Sequence, residues 1–284
     1  MRDHPDQNAA AGAGDQSAAA RREVPRVDRR AMPATLAPPL GWAARLGLIV
    51  LASDHTIEYE WREIIERAAL AEGGRESVAV YCARIANDPS ISAETLTDME
   101  RRLTDSADLL LPGVPFDVIA YGCTSASMLI GSDRVAAQIH RARPGVSVTD
   151  PAAATCRAFE ALGIDRLAML TPYIPDVNAQ MRQGFMARGF SIPVMGSFGL
   201  QSDNDAARVD APSLAAGVRE LGADPEVEGV FVSCTSIRLA DQAAALEAEI
   251  GKPVVSSNLA LAWDALRRAG VDASLPGYGR LFTL

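Results

Sequence analysis

The stretch VIAYGCTSASMLIG, residues 118–131, places a cysteine where an apolar run gives way to small hydroxyl residues. A near copy, GVFVSCTSIRLA, occupies residues 229–240. In both stretches a run with the length and character of a buried strand ends at the tripeptide Cys-Thr-Ser. We therefore expect Cys123 and Cys234 at equivalent turns, each at the carboxyl end of a strand and the start of a helix.

The chain on either side of these phrases alternates short apolar runs with amphipathic stretches. An apolar run at residues 46–51 precedes a helical pattern at residues 58–73, and the same rhythm restarts at residue 165. The pattern predicts an α/β fold of two related domains, each with a parallel sheet flanked by helices, and an active site in the cleft between them. We assign residues 39–160 plus 256–284 to the first domain and 161–255 to the second, and we expect residues 1–38 to form a disordered tail.

Composition excludes several classes of partner. The 284 residues carry a formal net charge of -9, which argues against nucleic acid or an anionic membrane as a partner. The four cysteines are widely spaced and are expected to be free thiols, which favours a cytoplasmic protein.

The three histidines are scattered, so no metal site is expected, and the residues imply no cofactor. Assembly into a homo-oligomer is left open.

The two Cys-Thr-Ser turns suit a small carboxylate substrate. Unpaired N–H groups at a helix start, together with nearby hydroxyl groups, can cradle a carboxylate in an acidic chain. The hydroxyl groups expected to do so belong to Thr124, Ser125, Thr235 and Ser236.

Two thiols across one substrate carbon can exchange a proton. The field of a helix start is expected to lower a thiol pKa from about 8.5 toward neutrality, so that each cysteine can act as acid or base. One thiol would remove a proton from one face and the other would return it to the opposite face. The alternative is that both cysteines are inert and buried.

Two further strand ends are expected on the same rim. The segment LASDHTIE offers Ser53, Asp54 and Thr56, for which simple capping of the next helix is the alternative. The segment TPYIPDVN offers Tyr173 as a hydroxyl donor and Asn178 as an amide, with core packing as the alternative for Tyr173.

From about Arg45 onward the sequence resembles the Asp/Glu racemase superfamily, in the branch of maleate cis-trans isomerases, arylmalonate decarboxylases and the ectoine-utilisation protein EutA. The motifs are GLIVLASDHT, YGCTSAS, TPYIPDVN, VSCTSIRL, KPVVSSNLALAWDALRRAG and PGYGRLF. The resemblance implies two related α/β domains, no metal or organic cofactor, and one catalytic cysteine from each domain, here Cys123 and Cys234. It also places Thr124, Ser125, Tyr173 and Thr235 around the substrate carboxylate, and Asn178 against the substrate.

The sequence differs from the decarboxylases and from the maleate isomerases, and these differences restrict the activities that we expect. Decarboxylases of this type keep only the second cysteine, so the presence of Cys123 counts against decarboxylation. Maleate isomerases carry SSNT where this chain has residues 53–56, and a carboxylate at Asp54 would repel a dicarboxylate unless it is protonated or paired. The segment VLASDHT is most similar to the EutA group. We therefore expect a racemase or isomerase of an amino acid or derivative, with maleate isomerisation, decarboxylation through Cys234 and non-catalytic carboxylate binding as alternatives.

Overall fold

Two parallel sheets of the same topology organise the molecule. The computed structural model describes residue 29 and residues 31–88 and 98–284. The first sheet has the order β2-β1-β3-β4 and contains β1 (Ala44–Leu51), β2 (Val78–Ile85), β3 (Val118–Gly122) and β4 (Ser147–Thr149). The second has the order β6-β5-β7-β8 and contains β5 (Arg166–Thr171), β6 (Ser191–Ser197), β7 (Gly229–Val232) and β8 (Val254–Ser256). All neighbouring strands are parallel, which confirms the predicted α/β fold.

Helices connect the strands of both sheets. Those described in the first part of the chain are α1 (Ile57–Ala71), α2 (Leu103–Asp108), α3 (Thr124–Ile130), α4 (Ser132–Ala142) and α5 (Pro151–Leu162). Those that follow are α6 (Pro175–Met186), α7 (Asp203–Ala206), α8 (Ala211–Gly222), α9 (Ala243–Ile250) and α10 (Ser257–Arg268). Short 3₁₀ helices span Met99–Arg102, Pro276–Tyr278 and Arg280–Thr283. Of the described helices, none is long and apolar enough to cross a membrane.

Local chemistry explains where the longer helices begin. Asp150 accepts a hydrogen bond from the N–H of Ala153 and caps α5, whose first residue is a proline. Ser256 accepts from the N–H of Leu259 and caps α10. Such side chains satisfy N–H groups that the first helical turn leaves without a partner. They place α10 directly after β8, at the carboxyl end of the second sheet.

The predicted domain boundaries are not resolved by the packing. Residues 38–284 form one compact unit, and one hydrophobic cluster includes Leu46 of β1, Phe159 of α5 and Phe231 of β7. Most of the predicted tail lies outside the described residues, and residues 31–38 are exposed without helix or strand. The division at residues 160 and 255 therefore stays a prediction.

Candidate active site

Cys123 sits at the junction of β3 and α3. Its backbone is extended, at φ -147°, and it is the N-cap residue of the helix. The first intrahelical hydrogen bond runs from the N–H of Ser127 to the carbonyl of Cys123, so the N–H groups before it have no partner within the helix. The N–H of Ala126 faces the thiol, and the Ser125 hydroxyl lies 3.9 Å from Sγ. Strand, cysteine and helix follow one another as the sequence predicted.

The Cys234 turn differs from the prediction. Cys234 has φ +100°, a backbone region that non-glycine residues rarely adopt, and Thr235 and Ser236 form a turn. The next helix, α9, begins only at Ala243. The expectation of a helix start at Cys234 was therefore wrong, because the positive φ turns the chain out of a helical path.

A network of hydrogen bonds joins the two cysteine turns. The hydroxyl of Ser257 accepts from the hydroxyl of Thr124 at 2.8 Å and from the N–H of Cys234 at 3.1 Å. The Thr235 hydroxyl donates to the carbonyl of Gly122 at 3.4 Å. A further bond runs from the hydroxyl of Thr56 to the carbonyl of Ser236, at 2.8 Å. Turns far apart in sequence thus meet at the carboxyl ends of both sheets.

Tyr173 lies close to both thiols. Burial raises the pKa of its phenol, and electrostatic interaction with Cys234 and Cys123 raises it further. The side chain of Asn178 holds the backbone of Tyr173. Its Nδ2 donates to the Tyr173 carbonyl at 2.9 Å, and its Oδ1 accepts from the hydroxyl of Thr171 at 2.5 Å. In this structure Asn178 positions Tyr173, while direct contact with substrate stays a prediction.

At both thiols, burial changes the pKa more strongly than the field of a helix start does. Both cysteines are buried, and burial raises the pKa of Cys123 to about 12. It also raises the pKa of Cys234 above its usual value, and the carboxylate of Asp203 adds to both shifts. The N–H groups of Ala126 and Ser236 act in the opposite direction. The expected lowering toward neutrality is therefore not what the structure gives, because desolvation of the thiolate dominates.

An acidic pair lies beside the thiols. Asp54 uses Oδ1 to accept from the N–H groups of Thr56 and Ile57, at 2.7 and 2.9 Å. Its Oδ2 is buried and makes no hydrogen bond to the described residues. The Ser53 hydroxyl donates to Asp203 at 2.6 Å. Burial raises the pKa of both carboxyl groups, and Asp54 raises that of Asp203 further.

A cavity reaches the site from one side. It has a volume of about 320 Å³ and lies between α3 and α6, lined in part by Ser125, Met128 and Met181.

The buried hydroxyl of Ser236 makes no hydrogen bond to the described residues, which leaves it available to a ligand. Polar atoms without partners in a buried site are typical of ligand binding.

The sequence analysis missed three residues that build this site. Ser257 directly follows β8 in the segment SSN, a small polar cluster at a strand end that could have revealed it. Glu60 occupies the apolar face of α1, where an acidic residue is itself a signal. Asp203 follows an irregular segment after β6 and offered no comparable pattern.

Comparison with known proteins finds two groups of related enzymes. The sequence profile of the family described as arylmalonate decarboxylase, Amdase, matches residues 87–282. The arylmalonate decarboxylase of Bordetella bronchiseptica is 38% identical over 145 residues, a match that spans 50% of this chain and 60% of that relative. The maleate isomerase of Nocardia farcinica is 27% identical over 248 residues, covering 84% of this chain and 94% of that enzyme.

Solved structures extend the comparison to the fold. A cysteine-to-serine mutant of the maleate cis-trans isomerase of Nocardia farcinica, with a covalently bound succinylcysteine intermediate, superposes with a TM-score of 0.74 at 25% identity. The alignment covers 84% of this chain and 98% of that one. The profile match spans more than half of the sequence. The chain therefore belongs to the arylmalonate decarboxylase family, in the branch that also contains maleate isomerases.

Proposed function

We propose that the protein is a cofactor-independent racemase or isomerase that acts on a small carboxylic acid through Cys123 and Cys234. The observation that supports the proposal is the Ser257 hydroxyl, which accepts hydrogen bonds from the Thr124 hydroxyl and the Cys234 N–H and so joins the turns of the two cysteines. Each thiol comes from the end of the equivalent strand of its sheet, β3 or β7. Such a pair can serve one substrate carbon from two sides.

In the proposed reaction one thiolate removes the α-proton and becomes a thiol, while the other thiol donates its proton to the opposite face and becomes a thiolate. No atom or electron is left over, and the two cysteines exchange roles. Unpaired N–H groups at the start of α3 and the hydroxyls of Ser125 and Ser236 stabilise the charge that develops on the substrate carboxylate. Burial makes each thiolate scarce and also strongly basic, which suits removal of a weakly acidic proton.

The acidic pair indicates the substrate class. A carboxylate substrate binds beside Asp54 and Asp203 at lower electrostatic cost when it also carries a hydrogen-bond donor or a positive group. An amino or acylamino acid provides both features. This proposal agrees with the resemblance of residues 50–56 to EutA, and we extend it to a diaminobutyrate derivative in ectoine breakdown. A cytoplasmic location and a homo-oligomeric state stay predictions.

The decisive experiment is an NMR screen of small amino and dicarboxylic acids for α-proton exchange in D₂O. The protein should introduce solvent deuterium at the α-position with inversion, and Cys123→Ser and Cys234→Ser should each abolish this turnover. Cys156→Ser is the matched control, since this partly buried thiol lies outside the site. Full exchange in both single mutants would refute the mechanism.

A second set of variants tests the substrate class. Asp54→Asn and Asp203→Asn keep the shape of each side chain and one acceptor oxygen but remove its charge. Both should weaken binding of an amino acid, and Asp54→Ala should reduce its turnover. Asp205→Asn, an exposed change on the same short helix as Asp203, is the control. An amino acid that bound equally well to all variants would remove the reason for assigning this class.

Maleate cis-trans isomerisation is the second candidate. It is favoured by the succinylcysteine intermediate in the structure of the Nocardia farcinica relative. Cys123 thiolate would add to the double bond, and the Cys234 thiol would protonate the resulting carbanion. After rotation about the new single bond, the Cys234 thiolate would take the proton back as the Cys123 thiolate is expelled, which restores the double bond. This route predicts a covalent adduct at Cys123, visible by mass spectrometry of the Cys234→Ser variant.

Two other activities are distinguished by the same assays. Decarboxylation would release carbon dioxide from an arylmalonate and require Cys234 but not Cys123. A carboxylate-binding protein without activity would bind ligands tightly, show no turnover, and have thiols of low reactivity toward alkylating reagents. In D₂O, decarboxylation would place one deuterium on the α-carbon of a product that has lost carbon dioxide, whereas a binding protein would leave the α-proton of its ligand in place.

A further inference from the structure

The loop that follows Cys234 has no helix to order it. Between the end of β7 at Val232 and the start of α9 at Ala243 the chain forms only turns and irregular structure. Cys234 itself has a positive φ, a strained conformation that persists only where its surroundings hold it. Interactions from outside the loop must therefore define where the thiol lies.

Glu60, from helix α1 beside the other sheet, supplies those interactions. Its Oε1 accepts hydrogen bonds from the N–H groups of Leu239 and Ala240, both at 2.7 Å. Its side chain is buried, with 3% of the residue surface exposed. A carboxylate thus satisfies two loop N–H groups that in a helix would bond backbone carbonyls.

Asn258 extends this contact toward Cys234. The Nδ2 group of Asn258 donates to Oε2 of Glu60 at 2.7 Å and to the carbonyl of Thr235 at 2.9 Å. The backbone carbonyl of Asn258 accepts from Nε1 of Trp61 at 3.3 Å. Glu60 therefore holds the loop at both ends, directly at residues 239–240 and through one amide at the residue next to Cys234.

We infer that Glu60 is a positioning residue for Cys234, whose carboxylate form fixes the loop 234–240 and so aims the thiol into the site. Every partner of this carboxylate is a hydrogen-bond donor, so a proton on either oxygen would face another donor and one bond would be lost. The inference goes beyond the proposed function, because it concerns the geometry of a thiol and holds whatever the substrate.

The charge state of Glu60 gives the inference a measurable signature. Burial raises the pKa of Glu60 to about 7, against the effect of its three hydrogen-bond donors. Asp241, at the end of the same loop, raises it further, and Tyr278 of the C-terminal 3₁₀ helix also interacts with it. The loop should therefore be held above about pH 7 and loosen below it.

The test measures alkylation of each cysteine separately, by mass spectrometry of iodoacetamide-treated protein. Cys123 is the internal control, since it is a buried thiol on a different turn. At about pH 8.5, Glu60→Gln should raise the ratio of the Cys234 rate to the Cys123 rate by about tenfold, the effect of losing one hydrogen bond to a charged group. The amide introduced at position 60 would face the Asn258 amide, donor against donor, so the loop would open.

The pH dependence of the wild-type protein needs no variant. The ratio should rise as the pH falls from about 8.5 to about 6, and it should be flat over this range in Glu60→Gln. Glu63→Gln, one turn along α1 and paired with Arg67 at the surface, should behave as the wild type. A flat wild-type ratio, or an unchanged ratio in a folded Glu60→Gln, would overturn the inference. Neither measurement uses a substrate, so failure of the proposed activity would be seen separately.

Discussion

A single hydroxyl group connects the two cysteine turns. Ser257 is fully buried and accepts hydrogen bonds from the Thr124 hydroxyl and the Cys234 N–H. It thereby touches the residue after one thiol and the backbone of the other. The position of one turn relative to the other, and so the distance between the two thiols, depends on Ser257 of α10.

We expect Ser257→Ala to lower the rate of α-proton exchange by at least about tenfold, because two buried donors lose their acceptor. The unfolding free energy should fall by about 2–6 kcal/mol, since each of the two donors left without an acceptor costs about 1–3 kcal/mol. Ser256→Ala is the control: it removes the cap of α10 and should cost about 1 kcal/mol of unfolding free energy while exchange continues. Equal exchange rates in the two variants would show that Ser257 acts only on stability.

The buried thiols make a second prediction at the residue scale. With burial raising the pKa of Cys123 to about 12, its alkylation rate should rise about tenfold per pH unit from about pH 7 to about pH 10 without levelling off. Iodoacetamide modification followed by mass spectrometry gives this rate. A plateau near pH 8 would instead indicate that the helix field dominates.

The sequence predicted individual site residues where a strand ended in small polar residues. Cys123, Thr124 and Ser125 follow β3 as expected. The direction of the thiol pKa was not predictable, because helix field and burial oppose each other and burial depends on residues distant in sequence. The role of Asn178 behind Tyr173 likewise depends on tertiary contacts.

At the scale of elements, the two Cys-Thr-Ser phrases have identical residues and different structures. The first begins α3, whereas the second begins a loop that Glu60 of α1 holds. Local sequence favoured a helix in both cases. Tertiary hydrogen bonds from Leu239 and Ala240 hold the second as a loop, and these involve a residue about 180 positions away.

Glu60 should also make stability depend on pH. Its pKa is about 7 in the folded protein and near 4.5 when unfolded. A raised carboxyl pKa contributes stability that is fully present below pH 4.5 and is lost as the pH rises through about 7. Relative to Glu60→Gln, the wild-type protein should therefore lose about 3 kcal/mol of unfolding free energy across this range.

Urea unfolding of both proteins at several pH values measures this difference. The exposed Glu63→Gln should show no comparable change against the wild type over the same range. If the unfolding free energies of wild type and Glu60→Gln differed by the same amount at every pH, Glu60 would not titrate in this pH range. Together with the alkylation ratio, the expected result would show that the carboxylate is kept at the expense of stability to hold the loop.

At the scale of the whole molecule, the repeated topology was readable from sequence and the degree of coupling between the halves was not. The two sheets have equivalent strand orders, as the repeated rhythm predicted. Yet the rings of Phe159 and Phe231, from the predicted first and second domains, pack edge to face with centroids 5.6 Å apart. Hydrophobic patterns identify which faces are buried but not which partner covers them.

This shared core predicts that both halves unfold together. Phe159 also contacts Phe185 of α6 at 5.9 Å, so it packs against two elements of the predicted second domain. Phe159→Ala should lower the unfolding free energy by about 3–5 kcal/mol and shift both halves equally. Alkylation of Cys123 and Cys234 during urea unfolding reports each half, and their midpoints should coincide in wild type and variant. The control Leu109→Ala, at an exposed residue, should shift neither midpoint. Separate midpoints for the two cysteines would establish two independent domains.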